Sequence, residues 1–315
     1  MPCIIIILAA LWIWPVSLIA TMAANQPPPR SEAGLKTYYP LPSRIALCGS
    51  EVPLQEPDVR EDLDREFTII LWSRTQTTLW IKRAARYFPY LEKRLQEARL
   101  PEDLKYVVIV ESDLRLEARS PSGAIGPWQF MKPAANRFLL KTEVKIDDRY
   151  DFMRSTEAAL QYLAILYRDF KNWPLALAAY NCGEGRLRKA IQEQGVADYY
   201  RLDLPDETDR YVMRLIAAKI ILSDPAGYGY DVPAEDLYPP LQPDQVEFVL
   251  DQEIHLRQVA EACGSYYKKL RRLNPRIQSA TLPPGMYRLN VPAGTAPRFY
   301  DAYIHGRLVA EKKEP

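Results

Sequence analysis

The stretch Leu104–Met131, LKYVVIVESDLRLEARSPSGAIGPWQFM, joins a short apolar run to one carboxylate and then to a loop rich in glycine and serine. The run Tyr106–Val110 ends directly at Glu111. Burial of this end of the run would disfavour the ionised carboxylate, and the negative end of a helix dipole would act in the same direction. Both effects raise the pKa towards the value that a general acid needs near neutral pH. The alternative is a solvated glutamate that only ends a helix, and this stretch alone leaves both interpretations open.

The composition is that of a globular protein with no strong charge bias. The 315 residues are 48% hydrophobic and 26% charged, and the formal net charge is +1. This balance gives no electrostatic argument for nucleic acid or another polyanion as a partner. The 27 prolines outnumber the 13 glycines, and they cluster near residues 27–57 and 225–243. The two clusters predict two linkers.

The cysteines and histidines do not form a metal-binding pattern. No C-x-x-C pair occurs, and the two histidines have no zinc-ligand spacing. We therefore expect no metal site and no cofactor. Cys3 lies in a targeting segment, so Cys48, Cys182 and Cys263 can form at most one disulfide, whose pairing stays open.

The amino-terminal residues form an apolar block over positions 3–24. Residues 1–23 are interpreted as a signal peptide or an N-terminal membrane anchor. The lack of Lys or Arg before the block is atypical of a signal peptide, but we favour cleaved export. Either interpretation sends the chain out of the cytoplasm, to the periplasm or cell envelope.

The remaining chain divides into five predicted parts. A Pro-rich linker over 24–60 precedes a mostly helical domain over 61–225, in which apolar residues recur at helical spacing. A second linker covers 226–245. Residues 246–294 predict a small strand–helix–helix–strand unit, and residues 295–315 a polar tail. The fold class is therefore mainly α with a small βααβ domain.

Three helix starts can be predicted inside the helical domain. Ser155 or Thr156 is the expected cap of the helix that follows. Trp173-Pro174 is expected to begin the next helix, and Pro205 a later one.

Four sequence motifs occur in order along the helical domain. They are Glu111-Ser112; Ser120-Pro121-Ser122-Gly123-Ala124, Gly126 and Trp128-Gln129-Phe130-Met131; Ala179-Tyr180-Asn181, Gly183 and Gly185; and Pro205, Glu207-Thr208 and Tyr211-Val212. Together they resemble the motifs of the soluble-lytic-transglycosylase family, which has a lysozyme-like fold, and in particular those of its membrane-bound murein transglycosylase D branch. The final small unit resembles a divergent LysM domain.

The resemblance implies a role for each matching residue of the first two motifs. Glu111 matches the family's single catalytic acid/base. Ser120 matches a serine that contacts the N-acetyl group of the substrate. Gln129 and Met131 match residues of the groove beside that sugar.

The third and fourth motifs add further substrate-binding positions. Tyr180 and Asn181 match groove residues near the catalytic carboxylate, and Glu207 matches a later carboxylate that helps to hold the glycan. Each also has an ordinary structural interpretation: a core aromatic, a helix C-terminal signal and a helix-starting glutamate.

The resemblance implies cleavage of the β-1,4 bond between N-acetylmuramic acid and N-acetylglucosamine with formation of a 1,6-anhydro product. One carboxylate suffices if the 2-acetamido group and the 6-hydroxyl of the substrate take part. Asp113 and Glu117 are weaker candidates for a second catalytic carboxylate. The alternatives are a hydrolytic muramidase of the goose-lysozyme type and a non-catalytic wall-binding protein. The expected partner is the peptidoglycan glycan strand, and we expect a monomer.

Overall fold

A computed structural model describes residues 36–306 of the chain. The segment 1–23, expected to be a signal peptide or anchor, lies outside these residues. Between residues 36 and 306, no helix has the length and apolarity needed to cross a bilayer. The chain divides after Tyr39 into two units, and all contacts described below lie within the second, which begins at Pro40.

The second unit is mainly helical, with three small two-stranded sheets among its described residues. Its α-helices are α1 Pro57–Trp72, α2 Arg74–Glu97, α3 Val107–Ser112, α4 Lys132–Arg137, α5 Phe152–Phe170, α6 Trp173–Cys182, α7 Glu184–Gln194, α8 Asp206–Ser223, α9 Leu256–Ala262, α10 Tyr267–Leu273 and α11 Ala296–Ile304. Its strands are β1 Ala46–Leu47, β2 Ser50–Glu51, β3 Asp244–Leu250, β4 Ile254–His255, β5 Thr281–Leu282 and β6 Gly285–Val291.

Helices α6 and α8 lie at the centre of the helical part. Helix α6 packs against α5, α7 and α8, and the small side chains Ala176, Ala178 and Ala179 are fully buried. Small residues allow close approach of neighbouring helices because little side-chain volume separates the backbones. Helix α8 also packs against α1 and α3, so it connects the first helices of the domain with the apolar run before Glu111.

The prediction that Ser155 or Thr156 caps α5 is wrong. Asp151 caps this helix, and its carboxylate accepts hydrogen bonds from the backbone N–H groups of Met153 at 3.1 Å and Arg154 at 3.0 Å. The Ser155 and Thr156 hydroxyls instead donate to the carbonyl oxygens of Asp151 and Phe152, each at 2.6 Å. Both residues are buried inside the first turns, a position that the sequence pattern did not reveal. The expected starts at Trp173-Pro174 and after Pro205 are confirmed.

The second half of the segment expected to be a linker over 24–60 is packed. Leu47 and Val52 are buried, and the Cys48 backbone N–H donates to the Asp103 carboxylate at 2.6 Å. The Lys219 ammonium bridges the Ala46 carbonyl at 2.6 Å and Asp103 at 2.7 Å. Helix α1 then begins at Pro57. Contacts distant in sequence therefore order this segment despite its prolines.

The segment 226–245 also contacts the helices. The buried Tyr230 hydroxyl donates to the Leu71 carbonyl at 2.5 Å, and the Arg86 guanidinium donates to the Pro239 carbonyl at 3.0 Å. The segment therefore runs over α1 and α2 before it reaches β3.

The small unit has the predicted β-α-α-β order. Strands β3 and β6 pair antiparallel from Asp244 opposite Val291 to Leu250 opposite Gly285. Alternate residues of both strands are buried under α9 and α10, as expected for a sheet with one covered face. The structure differs from the expected polar tail after 294, because α11 places Phe299 in the core of this unit.

The small unit docks onto the segment 145–148 of the helical part. Ile146 pairs with Ile277 in an isolated antiparallel bridge, and the Asp147 backbone N–H donates to the Arg276 carbonyl at 2.8 Å. The Arg276 guanidinium donates to the Asp148 carboxylate at 3.1 Å. Only 2% of the Asp148 side chain and 18% of the Arg276 side chain are exposed. The junction therefore contains a largely buried ion pair.

We expect Arg276→Ala to lower the free energy of unfolding by about 3 kcal/mol, because it leaves the Asp148 carboxylate buried without its main cation. The matched control is Arg288→Ala in the same unit, whose pair with Glu247 is 62% and 57% exposed. Exposed pairs contribute little, so the control should lose less than about 1 kcal/mol. Urea unfolding of both variants measures the difference, and equal losses would contradict a stabilising role for the junction pair.

Candidate active site

All seven candidate site residues from the sequence line one cleft of about 510 Å³. Helices α3, α6 and α8 and the loop between α3 and α4 form its walls. The seven are Glu111, Ser120, Gln129, Met131, Tyr180, Asn181 and Glu207. Tyr211 and Arg214 line it as well.

Glu111 lies in the last turn of α3, directly after a buried apolar run. Val107, Val108 and Ile109 are fully buried, and Asp113 ends the helix in the left-handed conformation with φ +56°. The Ser112 hydroxyl donates to the Val108 carbonyl at 3.0 Å and to the Pro127 carbonyl at 2.8 Å. This serine therefore ties the end of α3 to the loop between α3 and α4.

The environment of Glu111 raises its pKa from the usual 4.5 to about 7, mainly because burial disfavours the charged carboxylate. The Tyr211 hydroxyl donates to Glu111 Oε1 at 2.6 Å and opposes this rise. The negative charge of Glu207 adds to the rise, and the positive charge of Arg214 opposes it. A carboxyl group with a pKa near 7 can both give and take a proton at neutral pH.

Two tyrosines enclose the carboxyl group. Besides Tyr211 from α8, Tyr180 from α6 donates through its hydroxyl to the Trp128 carbonyl at 2.8 Å. Burial and the charge of Glu111 hold the pKa of both hydroxyls well above its usual value. Both therefore remain hydrogen-bond donors at neutral pH.

The loop between α3 and α4 adopts a strained path that glycine makes possible. Gly126 has φ +84°, and a Cβ atom there would lie 1.8 Å from the Arg149 carbonyl oxygen. Gln129 is also left-handed, with φ +49°, and its side-chain amide donates to the Gly126 carbonyl at 2.7 Å. The fully buried Trp128 anchors the loop by donating to the Thr156 hydroxyl at 2.9 Å. These contacts fix the wall of the cleft that carries Gln129.

Ser120 lies in the turn at the other end of this loop. Its hydroxyl accepts from the Ala124 backbone N–H at 2.9 Å and lies 2.8 Å from the Ser122 hydroxyl. Met131 follows the loop and is 43% exposed, which suits contact with a ligand better than a role in the core.

Asn181 and Glu207 complete the group. The Asn181 side-chain oxygen accepts from the Thr208 hydroxyl at 2.8 Å, so this contact joins the ends of α6 and α8. Glu207 is exposed at the start of α8.

The weaker carboxylate candidates lie elsewhere. Asp113 Oδ1 accepts from the Gln76 amide at 2.9 Å and the Trp80 indole N–H at 2.7 Å, so this carboxylate serves the packing of α2. Neither Asp113 nor Glu117 lines the cleft. Among residues 36–306, the carboxylates that line it are Glu111 and Glu207.

Sequence reasoning assigned no role to Tyr211 or Arg214. Both follow Glu207 at helical spacing, at four and seven residues, and therefore share one face of α8. Once Glu207 is a candidate site residue, this spacing predicts that Tyr211 and Arg214 lie on the same side of α8 as Glu207. The partner that makes Tyr211 important is Glu111, a hundred residues earlier.

The cysteines form no bond with one another within the described part of the chain. Cys48, Cys182 and Cys263 are free thiols. Cys182 lies at the cleft, and burial raises the pKa of its thiol. In the same part of the chain, no group of three or more His, Cys, Asp or Glu side chains could hold a metal ion.

We expect Glu111→Gln to stabilise the fold above pH 7 but not near pH 4. The folded state binds the Glu111 proton more tightly than the unfolded chain, so the free energy of unfolding falls as the pH rises from about 4.5 to about 7. The total loss is at most about 3 kcal/mol, because each unit of pKa is worth about 1.4 kcal/mol. Glutamine does not titrate and keeps an acceptor for Tyr211.

Urea unfolding of both proteins at pH 4 and pH 8 measures this gain. The control is Glu235→Gln, an exposed glutamate outside the cleft, which should change stability little at either pH. An equal change at both pH values for Glu111→Gln would contradict a buried, titrating carboxyl group.

Two protein families match separate parts of the chain. Residues 89–202 match the transglycosylase SLT domain, and residues 244–305 match the LysM-like domain of lytic transglycosylase MltD. The first range contains the candidate site residues from Glu111 to Asn181, and Glu207 follows it.

Curated relatives match over longer ranges. Membrane-bound lytic murein transglycosylase D from Escherichia coli (strain K12) is 30% identical over 234 residues, which cover 72% of this chain and 51% of that protein. The chain thus spans about half the length of this relative. A putative tributyltin chloride resistance protein from Alteromonas sp. (strain M-1) is 37% identical over 120 residues, or 37% of this chain and 58% of the relative.

Two solved structures match about half of the chain at lower sequence identity. The lytic transglycosylase Slt from Pseudomonas aeruginosa is 21% identical with a TM-score of 0.35, over 48% of this chain and 26% of that one. The 70 kDa soluble lytic transglycosylase from Escherichia coli is 20% identical with a TM-score of 0.38, over 49% and 27%.

The family matches agree with the motifs and with the cleft that they form, and the LysM-like match agrees with the βααβ unit. The chain therefore contains a region that matches the transglycosylase SLT domain, followed by a region that matches the LysM-like domain of lytic transglycosylase MltD.

Proposed function

We propose that this protein is a peptidoglycan lytic transglycosylase that cleaves the β-1,4 bond between N-acetylmuramic acid and N-acetylglucosamine and closes a 1,6-anhydro ring. Glu111 is the single general acid and base. The observation that carries the proposal is the Glu111 carboxyl group in the cleft, with a pKa of about 7 and the Tyr211 hydroxyl 2.6 Å away. The SLT domain match and the resemblance to murein transglycosylase D support the same activity.

In the first step, protonated Glu111 donates its proton to the glycosidic oxygen. With a pKa of about 7, roughly half of the molecules carry this proton at neutral pH. The C1–O bond of the muramic acid residue breaks, and positive charge develops at its anomeric carbon. The leaving sugar departs with a free 4-hydroxyl.

The substrate itself stabilises the positive charge. Its 2-acetamido carbonyl oxygen approaches the anomeric carbon, as in substrate-assisted glycosidases. Gln129 and Ser120 lie on the loop that lines the cleft together with Glu111, and they orient this acetamido group. The ordered contacts of the loop reduce the entropy that is lost in reaching the reactive geometry.

In the second step, ionised Glu111 takes the proton from the 6-hydroxyl of the same sugar. The C6 oxygen then bonds to the anomeric carbon, displaces the acetamido oxygen and closes the anhydro ring. An intramolecular hydroxyl competes well with water because its effective concentration is high. The Tyr211 hydroxyl stabilises the ionised carboxylate while it acts as the base.

The other lining residues bind the glycan. Tyr180 supports the geometry next to the acid, and Asn181 and Glu207 offer polar groups to sugar hydroxyls. Met131 presents an exposed apolar surface to a sugar ring.

We extend the proposal to the rest of the chain. Residues 61–225 form the catalytic domain, and residues 246–294 with α11 form a LysM-like unit that binds peptidoglycan glycan strands. The relative whose name includes "membrane-bound" supports a site of action in the cell envelope.

A hydrolytic muramidase is the second candidate, and Glu207 favours it. This second carboxylate lines the cleft and could activate a water molecule, as the base of an inverting glycosidase does. The two activities differ in their products.

Mass spectrometry of the fragments released from purified peptidoglycan tests the proposal. We expect muropeptides with 1,6-anhydro ends, which are one water lighter than reducing-end products. Glu111→Gln should lower the rate of release by at least a thousandfold, because it removes the proposed proton donor.

The inactive variant should still bind peptidoglycan. Reducing ends would identify a hydrolase. Release by Glu111→Gln at more than a few per cent of the wild-type rate would exclude the single-acid mechanism, and the absence of any products from the wild-type protein would favour a binding protein.

The pH dependence of cleavage tests the contact between Tyr211 and Glu111. Because the acid must be protonated, activity should fall above about pH 7. Tyr211→Phe removes the hydrogen bond that lowers the pKa of Glu111, so the falling limb should move to higher pH by roughly half a unit to one unit. Tyr180, Glu207 and Arg214 remain as the other polar groups around the carboxyl group.

Tyr230→Phe is the matched control, because it removes a buried tyrosine hydroxyl that bonds to the Leu71 carbonyl outside the cleft. In Tyr230→Phe, the falling limb of the pH dependence of cleavage should stay at the wild-type pH. A limb that stays in place or moves to lower pH in Tyr211→Phe would contradict the assignment of Glu111 as the titrating acid.

A further inference from the structure

The charge of the cleft is carried by few side chains. Glu111, Glu207 and Arg214 are the charged residues among those that line it, so Arg214 is its only cation within the described part of the chain. In the proposed reaction Glu111 begins neutral, which leaves the exposed Glu207 and the partly exposed Arg214. A cation in a substrate cleft can hold an anionic group of the ligand.

The guanidinium of Arg214 makes few bonds to the protein. Within residues 36–306, its one hydrogen bond is from Nη2 to the Glu207 carbonyl oxygen, at 3.4 Å. Its Nε lies 3.8 Å from Glu66 Oε2, too far for a hydrogen bond. That Nε is enclosed and has no hydrogen-bond partner. A guanidinium has five N–H donors; with Nε enclosed and one Nη2 donor used, the remaining donors on Nη1 and Nη2 are free for another acceptor.

Arg214 is not needed to neutralise Glu66. The buried Glu66 carboxylate accepts from Arg210 Nε at 2.7 Å and Nη2 at 3.3 Å. It also accepts from Arg65 Nε at 3.2 Å. Because Arg210 and Arg65 both lie closer to the Glu66 carboxylate, the positive charge of Arg214 is not needed to neutralise it. Its side chain is 30% exposed, which leaves it accessible from the cleft.

We propose that Arg214 is a specificity-determining residue that binds a carboxylate of the glycan substrate. The inference rests on the proposed function, since it concerns the substrate of that cleft. N-acetylmuramic acid carries a lactyl carboxylate where it has no peptide, and the peptide stem carries carboxylates where one is attached. A neutral glycan made only of N-acetylglucosamine has neither, so the protein should prefer anionic strands to chitin-type strands.

Binding to three hexasaccharides of equal length tests the proposal. The ligands are chitohexaose, a peptide-free strand of alternating N-acetylglucosamine and N-acetylmuramic acid, and the same strand with its peptide stems. Isothermal titration calorimetry is done in the Glu111→Gln background, so that no ligand is cleaved and the pKa of Glu111 plays no part.

Two substitutions are compared with a matched control. Arg214→Gln removes the charge, and Arg214→Lys keeps the charge but loses the planar donor pair. Lys189→Gln removes one charge from an exposed position outside the cleft. Glu66 keeps Arg210 and Arg65 in both Arg214 variants, so we expect them to fold, which circular dichroism checks.

We expect Arg214→Gln to weaken binding of a carboxylate-bearing strand about tenfold, or about 1.4 kcal/mol. Arg214→Lys should recover part of this loss, and chitohexaose should be affected less than about twofold. If only the peptide-free strand loses affinity, Arg214 binds the lactyl carboxylate. If only the strand with peptide stems loses affinity, Arg214 binds a carboxylate of the stem. Raising the salt concentration should reduce the difference between wild type and variant.

An equal loss for chitohexaose would overturn the proposal, as would no loss for either anionic strand. An equal loss of affinity for the anionic strand in Lys189→Gln would also overturn it, because the effect would then arise from the net charge of the protein. Failure of the proposed function is recognised separately, since it shows as missing anhydro products or as cleavage by Glu111→Gln, and the binding assay depends on neither.

Discussion

The contact between Glu111 on α3 and Tyr211 on α8 is the interaction on which the site depends. It exists because the buried run Val107–Ile109 packs α3 against α8, which brings two residues a hundred positions apart to 2.6 Å. Burial of a carboxyl group destabilises a fold unless its hydrogen bonds are satisfied. One short hydrogen bond from a neutral donor meets part of this need and leaves the group able to change its protonation state.

The loop between α3 and α4, which lines the cleft, is fixed by contacts from several elements. Ser112 holds it to α3, Trp128 holds it to α5, and the Arg149 carbonyl limits the space at Gly126. Arg149 itself donates to the Phe130 carbonyl at 3.2 Å and forms a buried ion pair with Asp147. Because Asp147 and Asp148 also contact the LysM-like unit through Arg276, the small unit lies in one network with the substrate-facing loop.

Local patterns predicted a large part of this molecule. Glu111 could be singled out because an apolar run and a glycine-rich loop flank it in sequence, and the strands of the small unit could be predicted from alternation. The Asp151 cap, the packed segment before Pro57 and helix α11 could not, because contacts far away in sequence order them. Arg214 illustrates the same limit: its spacing from Glu207 is visible in the sequence, but the excess of cations around Glu66 exists only in the fold.

The proposed reaction asks Glu111 to give a proton and then to take one, so neither protonation state can be favoured too strongly. Burial alone would keep the carboxyl group protonated, and a fully paired carboxylate would stay ionised. One face of α8 supplies groups that act in both directions: Glu207 raises the pKa of Glu111, whereas Tyr211 and Arg214 lower it. A pKa of about 7 is therefore the balance of opposing contributions. A substrate carboxylate bound at Arg214 would cancel its charge and raise the pKa further, so that the acid is most fully protonated when the anionic strand is in place.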